Sequence, residues 1–212
     1  MKVHSIKQNK TQSPRFCAVK VAQIKPKAAL AEDVFIYALD RDKDWDYCWD
    51  LSHKLMHSSP KRMNTEKSTI FQFLYSAFSS VVYSDRAFLA SKGRTPFGLM
   101  SIMDVNPKES HLSYLATWKT PDLKKIKNGG SMLINHLLKE NKDKNKITLT
   151  PAFNSDLFYY KFGFDYDEYP MTTMFIDNKD ILPELKRLSD KFTYKEIENT
   201  KPVNLENVLD CG

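Results

Sequence analysis

The chain has 212 residues and a formal net charge of +6; hydrophobic residues make up 42% of it and charged residues 27%. Its length suits one domain rather than two, and its composition excludes collagen-like chains, coiled coils and chains that are disordered throughout. The positive charge is confined to one end, because the first thirty residues hold seven basic residues and no acidic one, which leaves 25 basic against 26 acidic residues beyond.

Residues 1–30 are the first predicted segment, a basic stretch that we expect to be flexible because it is polar and free of acid. A basic arm supports salt-dependent contact with nucleic acid. A protein that reads nucleic acid through its fold carries the charge on the fold itself. We therefore expect nucleic-acid contact only through this segment. Residues 1–28 are also compatible with an export or organelle-targeting signal.

Residues 31–212 are expected to form a single domain of helices and strands. Apolar residues at steps of three and four predict the helices, and β-branched or alternating runs predict the strands. In chain order the elements are a strand at 34–39, helices at 44–57 and 68–82, strands at 86–90, 97–105 and 111–118, a helix around 133–138, a strand at 147–150, a short helix at 155–161, a strand at 172–176, a helix at 179–191 and a strand at 193–198. Turn signals favour an antiparallel meander, which the strand at 147–150 extends, and the mixed order indicates an α+β sheet flanked by helices.

The sequence predicts no disulfide, metal site or membrane span. Cys17, Cys48 and Cys211 are widely spaced and form no CxxC pair. His53 and His57 stand four residues apart, but no third ligand is evident, so we expect no metal. No run approaches the roughly 18 apolar residues of a membrane span, and the N-terminus lacks the apolar centre of a secretory signal. We expect a cytoplasmic protein with no membrane partner.

Two adjacent glycines begin the third predicted helix, in the stretch Lys125-Ile126-Lys127-Asn128-Gly129-Gly130-Ser131. A helix start offers unpaired N–H groups and the positive end of the helix dipole, and glycines let a bulky anion approach that backbone. Asn128 tolerates the left-handed conformation that glycine usually supplies. The stretch predicts an anion site, although a turn beside solvated lysines has the same pattern. It is neither a Walker A loop nor a GxGxxG fingerprint, which excludes kinases and dehydrogenases.

A second motif follows about thirty residues later, Phe-Tyr-Tyr-Lys-Phe-Gly-Phe at residues 158–164. With the first, it resembles the GNAT superfamily of acyl-CoA N-acyltransferases, over roughly residues 85–176. Lys125 and Asn128 replace the Arg or Gln and the first Gly of the family signature, and the second motif matches the family's Leu-Tyr-x-Lys-x-Gly-Phe with one conservative change. The resemblance implies a mostly antiparallel sheet with helices on both faces, whose splayed central strand pair includes the strand at 111–117.

The resemblance also implies which residues bind acetyl-CoA. Backbone N–H groups at the start of the third helix would hold the pyrophosphate, beside two lysines, and backbone groups at the end of the central strand would hold the pantetheine and polarise the thioester carbonyl. An asparagine ahead of the short helix would touch the pantetheine. The cofactor-binding residues implied are Ala116, Thr117, Trp118, Lys125, Lys127, Asn128, Gly129, Gly130, Ser131 and Asn154.

Two side chains are candidates for proton transfer. Tyr159 matches the family tyrosine near the thioester sulfur, where it would protonate the leaving thiolate; the alternative is a packed aromatic. An alkyl amine has a pKa of about 10 and must lose a proton before it attacks. His111 occupies the position of the family's strand glutamate and is a competent base. The alternatives are that His111 is a surface residue, or that Asp104 or Glu109 is the base.

The expected function is N-acetyltransfer from acetyl-CoA to an amine by direct attack, with no covalent enzyme intermediate. A small metabolite, a protein and an aminoacyl-tRNA all stay open as acceptors. The altered positions Lys125 and Asn128, with the missing strand glutamate, favour an alternative: a catalytically silent CoA-binding GNAT-like domain that acts as an interaction or exported effector protein.

Overall fold

The computed structural model describes residues 17–27, 33–58, 67–121, 124–152, 155–167, 171–198 and 201–210. These residues contain nine strands and six helices. In chain order they are β1 (Val19–Pro26), β2 (Val34–Leu39), α1 (Trp45–Ser58), α2 (Lys67–Tyr83), β3 (Arg86–Lys92), β4 (Thr95–Asn106), β5 (Glu109–Thr117), α3 (Gly129–Glu140), β6 (Lys146–Leu149), α4 (Asp156–Tyr160), β7 (Asp165–Tyr166), β8 (Met174–Asp177), α5 (Asn178–Ser189), β9 (Phe192–Glu196) and α6 (Leu205–Val208).

All nine strands form one sheet in the order β7-β8-β6-β5-β4-β3-β2-β1-β9. Short turns join β3 to β4 and β4 to β5, so these neighbours are antiparallel. β5 and β6 are the single parallel pair, because α3 carries the chain across the sheet between them. The mostly antiparallel α+β architecture predicted from the sequence is confirmed.

Helices cover both faces of the sheet, as expected. On one face α3 and α5 pack in a cluster that includes Leu133 and Leu137; on the other, α1 and α2 pack in a cluster that includes Leu74 and Phe78. Each pair stands four residues apart on one helix face, and all four side chains are buried. Burying one such side chain stabilises the fold by about 1.5 to 3 kcal/mol.

The central strands β5 and β6 part from each other. They pair from Glu109 opposite Lys146 to Leu112 opposite Leu149, and β5 then continues to Thr117 without β6 beside it. A bulge at Ser113, the extra residue of β5 against β4, lies where the pairing ends. The parting leaves an open strand edge in the middle of the sheet.

The first strand corrects the predicted boundary of the basic segment. Val19–Pro26 is β1 and pairs with β2 and β9, whereas the sequence analysis placed it in a flexible tail. Ala22 and Ile24 are buried while Lys25, which alternates with them, is exposed, so the basic residues concealed a half-buried strand in the sequence pattern. Residues 1–16 lie outside the described residues.

The structure differs from the sequence prediction at three further elements, β6, β7 and α6. β6, expected as a further strand of the meander, is parallel to β5, and β7 and α6 were not predicted.

Cys17 and Cys48 carry free thiols, and Cys211 lies outside the described residues. Within the described ranges, no helix is long and apolar enough to span a membrane.

Candidate active site

The start of α3 presents unpaired backbone N–H groups. Asn128 adopts the predicted left-handed conformation, with φ 61°, and no side chain caps the helix. The Gly129 N–H donates to the Ile126 carbonyl (3.1 Å), which closes the turn before the helix. The N–H groups of Gly130 and Ser131 donate to no group in the part of the chain that the structure describes. With the helix dipole, these two groups form a site that favours an anion.

Both glycines lie close to aromatic rings. A Cβ on Gly129 would lie 2.9 Å from Cε2 of Phe97, and a Cβ on Gly130 would lie 3.0 Å from Cζ of Phe158. The first contact packs α3 onto the sheet, and the second packs it beside α4. The glycines therefore bring the helix start close to both elements and keep its N–H groups accessible.

A cleft of about 460 Å³ runs from this helix start to the open edge of β5. It brings together residues that stand more than forty positions apart in the sequence, including seven that the sequence analysis named: Thr117, Lys125, Asn128, Gly129, Gly130, Ser131 and Tyr159. Six further residues line it: Phe73, Leu115, Ile126, Ala152, Ser155 and Phe158. The volume falls within the range of about 300 to 1,000 Å³ that is typical of small-molecule sites.

The open edge of β5 offers hydrogen-bonding groups to a ligand in the cleft. The Trp118 N–H donates to the Phe97 carbonyl (2.9 Å), which makes Thr117 and Gly98 a non-hydrogen-bonded pair of the β4–β5 ladder. The N–H and C=O groups of Thr117 therefore point away from β4. By the same alternation, so do those of Leu115.

These directions correct two of the three predicted pantetheine contacts. The N–H groups of Ala116 and Trp118 point toward β4, and neither residue lines the cleft. The Trp118 indole is buried and donates to the Pro96 carbonyl (2.9 Å). Thr117 stays a candidate, and Leu115 is the residue that the sequence analysis missed. The two-residue period of a strand, counted back from Thr117, is the signal that finds it.

Tyr159 lies in the wall of the cleft opposite β5. Its side chain is 8% exposed, and its hydroxyl forms no hydrogen bond with any described residue. Burial raises the pKa of Tyr159 to about 12. The hydroxyl is therefore protonated at neutral pH and available as a donor to a group bound in the cleft.

His111 lies in the paired part of β5 and does not line the cleft. Its Nδ1 is 2.9 Å from Oγ1 of Thr148 on β6. It alternates with Leu112, which packs under α3, so His111 faces the side of α1 and α2. Leu115 lies four residues further, about 13 Å along the strand. Burial lowers the pKa of His111, which keeps the imidazole neutral at pH 7, as a base requires.

The two carboxylates named as alternative bases lie further from the cleft. Asp104 accepts hydrogen bonds from Arg86 Nη2 and Ser110 Oγ, both at 2.7 Å, and pairs with Lys144 at 3.1 Å. Burial alone would raise the pKa of the Asp104 carboxyl, but the hydrogen bonds from Ser110 and Arg86 outweigh it and lower the pKa. This network joins β3, β4 and the segment after α3. Glu109 begins β5, at the end away from the cleft.

Lys127 and Asn154 are the two remaining predicted ligands. The side chain of Lys127 is exposed and does not line the cleft, and Asn154 lies outside the described residues.

His53 and His57, the histidine pair on α1, have ring centroids 6.4 Å apart. Among the described residues, no group of three or more His, Cys, Asp or Glu side chains is placed to hold a metal ion.

Comparisons with known proteins find similar folds only among solved structures. No family model matches the chain, and no curated protein matches it. The structure of AtaTR bound with AcCoA matches with 15% identity and a TM-score of 0.49, over 71% of this chain and 96% of that one.

Two other solved structures also match the chain. A chimera of the spermidine N-acetyltransferase SpeG from Vibrio cholerae and hSSAT has 16% identity and a TM-score of 0.44, over 70% of this chain and 98% of that one. Ard1 from Thermoplasma volcanium has 14% identity and a TM-score of 0.43, over 68% and 97%. These similarities concern the fold alone.

Proposed function

We propose that the protein transfers an acetyl group from acetyl-CoA to the amine of an acceptor, by direct attack of the amine on the thioester. The observation that carries this proposal is the continuous cleft itself. At one end it has the unpaired N–H groups of Gly130 and Ser131, along its side the open edge of β5, and in its wall the unpaired hydroxyl of Tyr159.

The cleft fits the chemistry of acetyl-CoA in three consecutive parts. The pyrophosphate takes the N–H groups at the start of α3, with the Lys125 ammonium beside it. The pantetheine amides pair with the N–H and C=O groups of Leu115 and Thr117, as an added strand would. The thioester then lies toward Tyr159. An extended ligand of this kind accounts for the gap between β5 and β6.

The reaction balances without a covalent enzyme intermediate. The neutral amine nitrogen attacks the thioester carbon, the C–S bond breaks, the amine nitrogen loses a proton and the CoA sulfur gains one. An ordinary thiol has a pKa of about 8.5, well below that of Tyr159. Tyr159 therefore stabilises the developing thiolate by donating a hydrogen bond, and the net proton on sulfur comes from the amine.

His111 is the group that we assign to the removal of the amine proton. It is neutral at pH 7 because burial lowers its pKa, and it faces the side of α1 and α2. His111 lies about 13 Å along the strand from Leu115, which is expected to contact the ligand. Because this distance is too long for direct transfer, the proton must pass from the amine to His111 through water. In the tautomer whose Nδ1 donates to Thr148, 2.9 Å away, the lone pair of Nε2 is available for this step.

Binding and turnover are tested separately. Calorimetric titration with acetyl-CoA is expected to give micromolar affinity, and Gly130→Glu is expected to abolish it, because the new side chain meets Phe158 and adds a negative charge at the anion site. Met171→Glu adds the same charge at a residue that is 66% exposed and is the matched control. Equal affinity in the Gly130→Glu variant and the parent would place the pyrophosphate elsewhere.

Turnover is then measured as release of the CoA thiol with a panel of acceptors: a polyamine, a peptide with a free N-terminus and an aminoacyl-tRNA. Each carries the amine that the reaction requires, and the panel covers the three acceptor classes. Thiol release that depends on one acceptor, with the mass of that acceptor increased by one acetyl group, supports the proposal. Release that does not depend on any acceptor is hydrolysis and contradicts it.

A second candidate function is a CoA-binding domain without catalysis. One observation favours it: among the described residues that line the cleft, Lys125 and Tyr159 are the only ionisable ones, so no carboxylate or imidazole stands beside the bound thioester. The altered Asn128 does not favour it, because this residue adopts the left-handed conformation that a glycine would supply. Tight binding of acetyl-CoA without turnover of any acceptor class would support the silent domain.

A further inference from the structure

A groove of about 410 Å³ lies between α1 and α2. Among the described residues, none lines both this groove and the cleft. Half of the residues that line the groove are aromatic: Trp45 and Trp49 come from α1, and Tyr75 and Tyr83 come from α2. The groove is therefore a separate site, which the proposed function leaves unused.

Three of these rings are exposed to solvent. Trp49 is 38% exposed, Tyr75 is 48% exposed and Tyr83 is 79% exposed. Contacts between rings fix the position of Trp49, whose ring centroid lies 5.7 Å from that of Trp45 and 6.3 Å from that of Tyr75. An exposed apolar patch with polar residues at its rim is typical of a surface that binds a ligand or a partner. A ligand that covers these rings removes apolar surface from water, which stabilises the bound state.

The charge around the groove is negative. Residues 40–50, which lead into α1 and form its first turns, hold five aspartates and two basic residues, a formal net charge of −3. Residues 72–84 of α2 hold no charged residue. Asp42 lines the groove, and its carboxylate accepts no hydrogen bond and forms no ion pair within the described part of the chain. The groove therefore complements a ligand that carries a positive charge.

Arg41 is the one basic side chain among the described residues that line the groove. It is exposed, and its guanidinium forms no ion pair or hydrogen bond with any described residue. The guanidinium is therefore free to turn into solvent, away from a bound cation. Its charge still opposes a cationic ligand, whereas it would attract an anionic one, so a variant of Arg41 distinguishes the two kinds of ligand.

We propose that this groove binds a ligand through a quaternary ammonium group, which lies against the rings of Trp49 and Tyr75 with the Asp42 carboxylate beside it. A cation is attracted to the face of an aromatic ring by the ring's quadrupole, and tryptophan gives the strongest attraction. A primary ammonium is strongly hydrated and needs several hydrogen-bond acceptors. A quaternary ammonium needs none, and its methyl groups cover the rings. Its nitrogen has no lone pair, so it cannot be the acceptor of acetyl transfer, and the site does not depend on the proposed function.

The test follows the tryptophan fluorescence of the full chain as choline is added, and compares choline with dimethylbutanol, its uncharged analogue in which carbon replaces the quaternary nitrogen. Trp45 and Trp49 line the groove, so a ligand bound there changes the emission. The parent is expected to bind choline about fivefold more tightly than dimethylbutanol, because a cation–π contact at an exposed site is modest. Trp49→Leu keeps an apolar side chain without the ring and is expected to abolish this preference. A preference that persists in Trp49→Leu overturns the proposal.

Two charge variants are expected to shift the affinity for choline in opposite directions. Asp42→Asn removes the unpaired carboxylate and should weaken binding about twofold to threefold, and Arg41→Gln removes the opposing charge and should strengthen binding by a similar factor. Neither variant should change the affinity for dimethylbutanol. Asp143→Asn removes an exposed carboxylate that does not line the groove and is the matched control, with unchanged affinity for choline. A general loss of structure cannot produce both shifts.

The proposal is overturned if the parent binds choline and dimethylbutanol equally, or if choline at tens of millimolar gives no saturable change in fluorescence. Weaker binding of choline by Arg41→Gln would indicate a ligand with an anionic group and would also overturn it. Light scattering that shows a dimer of the parent and a monomer of Trp49→Leu would assign the groove to a second copy of the chain instead. The proposed function is tested with acetyl-CoA and is unaffected by each of these results.

Discussion

Gly130 lies against the ring of Phe158, so closely that a Cβ on Gly130 would be 3.0 Å from the ring's Cζ. Phe158 is half-buried and lines two cavities that meet at the start of α3. Gly129, which precedes Gly130 in the chain, is equally close to another ring: a Cβ on Gly129 would be 2.9 Å from Cε2 of Phe97, whose side chain is fully buried in the sheet. The two adjacent glycines therefore face different environments, one at the site and one in the core.

We expect Gly129→Ala to destabilise the fold and Gly130→Ala to leave stability nearly unchanged. The new methyl group at Gly129 meets a ring that has no space to move into, and such overpacking costs about 1 to 3 kcal/mol. The ring at Gly130 can turn toward the cavities. Urea denaturation of both variants measures the difference. Equal loss of stability would show that Phe158 is as constrained as Phe97.

Tyr159→Phe is expected to lower kcat by about tenfold to a hundredfold and to leave the affinity for acetyl-CoA unchanged, because the hydroxyl acts on charge that develops in the transition state. Burial holds the pKa of Tyr159 at about 12, so the parent's rate should show no loss from its ionisation below about pH 11. The matched control is Tyr160→Phe, a neighbouring tyrosine that does not line the cleft. An unchanged kcat in Tyr159→Phe would remove this residue from the mechanism.

The pH dependence of kcat tests the role of His111. Burial lowers its pKa from the ordinary value of 6.5, so the neutral base persists below pH 6.5 and is lost only as the pH falls through the lowered pKa. We expect kcat to decline on that acidic side in the parent. His111→Ala should lower kcat by about a hundredfold at neutral pH. The remaining rate of this variant should rise with pH, because it depends on the fraction of the acceptor amine that is deprotonated.

A variant of the partner residue separates catalysis by His111 from a structural role. Thr148→Val keeps the imidazole but removes the oxygen that lies 2.9 Å from its Nδ1. If His111 is the base, the midpoint of the acidic decline should move in this variant while kcat at neutral pH stays within a few-fold of the parent. An acidic decline that is the same in the parent, Thr148→Val and His111→Ala would exclude His111 as the base.

Much of the fold and the helix-start site follows from local patterns. The steps of three and four in α2 and α3, the short apolar runs of β3 to β5 and the left-handed Asn128 each depend on neighbouring residues, so the sequence predicts them. The two glycines and the Phe-to-Phe motif at 158–164 predict the anion end of the cleft. Because these signals are local, they still predict the site where a single position such as Lys125 departs from the family pattern.

The features that the sequence did not predict depend on long-range pairing. β1 was not predicted because its lysines gave it the composition of a polar tail, and its pairing with β2 and β9 makes it a strand. The bulge at Ser113 decides which backbone groups of β5 face the cleft, and nothing in the residue types marks it. Lys191 lines a cavity together with Ser131, although the two residues are far apart in the sequence, because α5 packs beside α3. Such arrangements are set by tertiary packing.

The buried imidazole of His136 on α3 gives a last prediction, which concerns stability and not activity. The side chain is fully buried against Phe88, and its Nδ1 is 2.7 Å from the Tyr194 hydroxyl on β9. Burial, with a smaller effect of the Arg86 charge, lowers the pKa of His136 to about 3. In the unfolded chain the pKa is about 6.5. Below pH 6.5 the unfolded state therefore binds a proton that the folded state excludes.

The free energy of unfolding should consequently fall between about pH 6.5 and pH 3, by up to about 1.4 kcal/mol per pH unit from this group alone. Urea denaturation at intervals from pH 7.5 to 5 measures the slope above the range in which most carboxylates titrate. His136→Gln keeps a polar partner for Tyr194 without an ionisable ring, and the difference in slope between parent and variant isolates the imidazole. Parallel slopes would mean that His136 is protonated in the folded state.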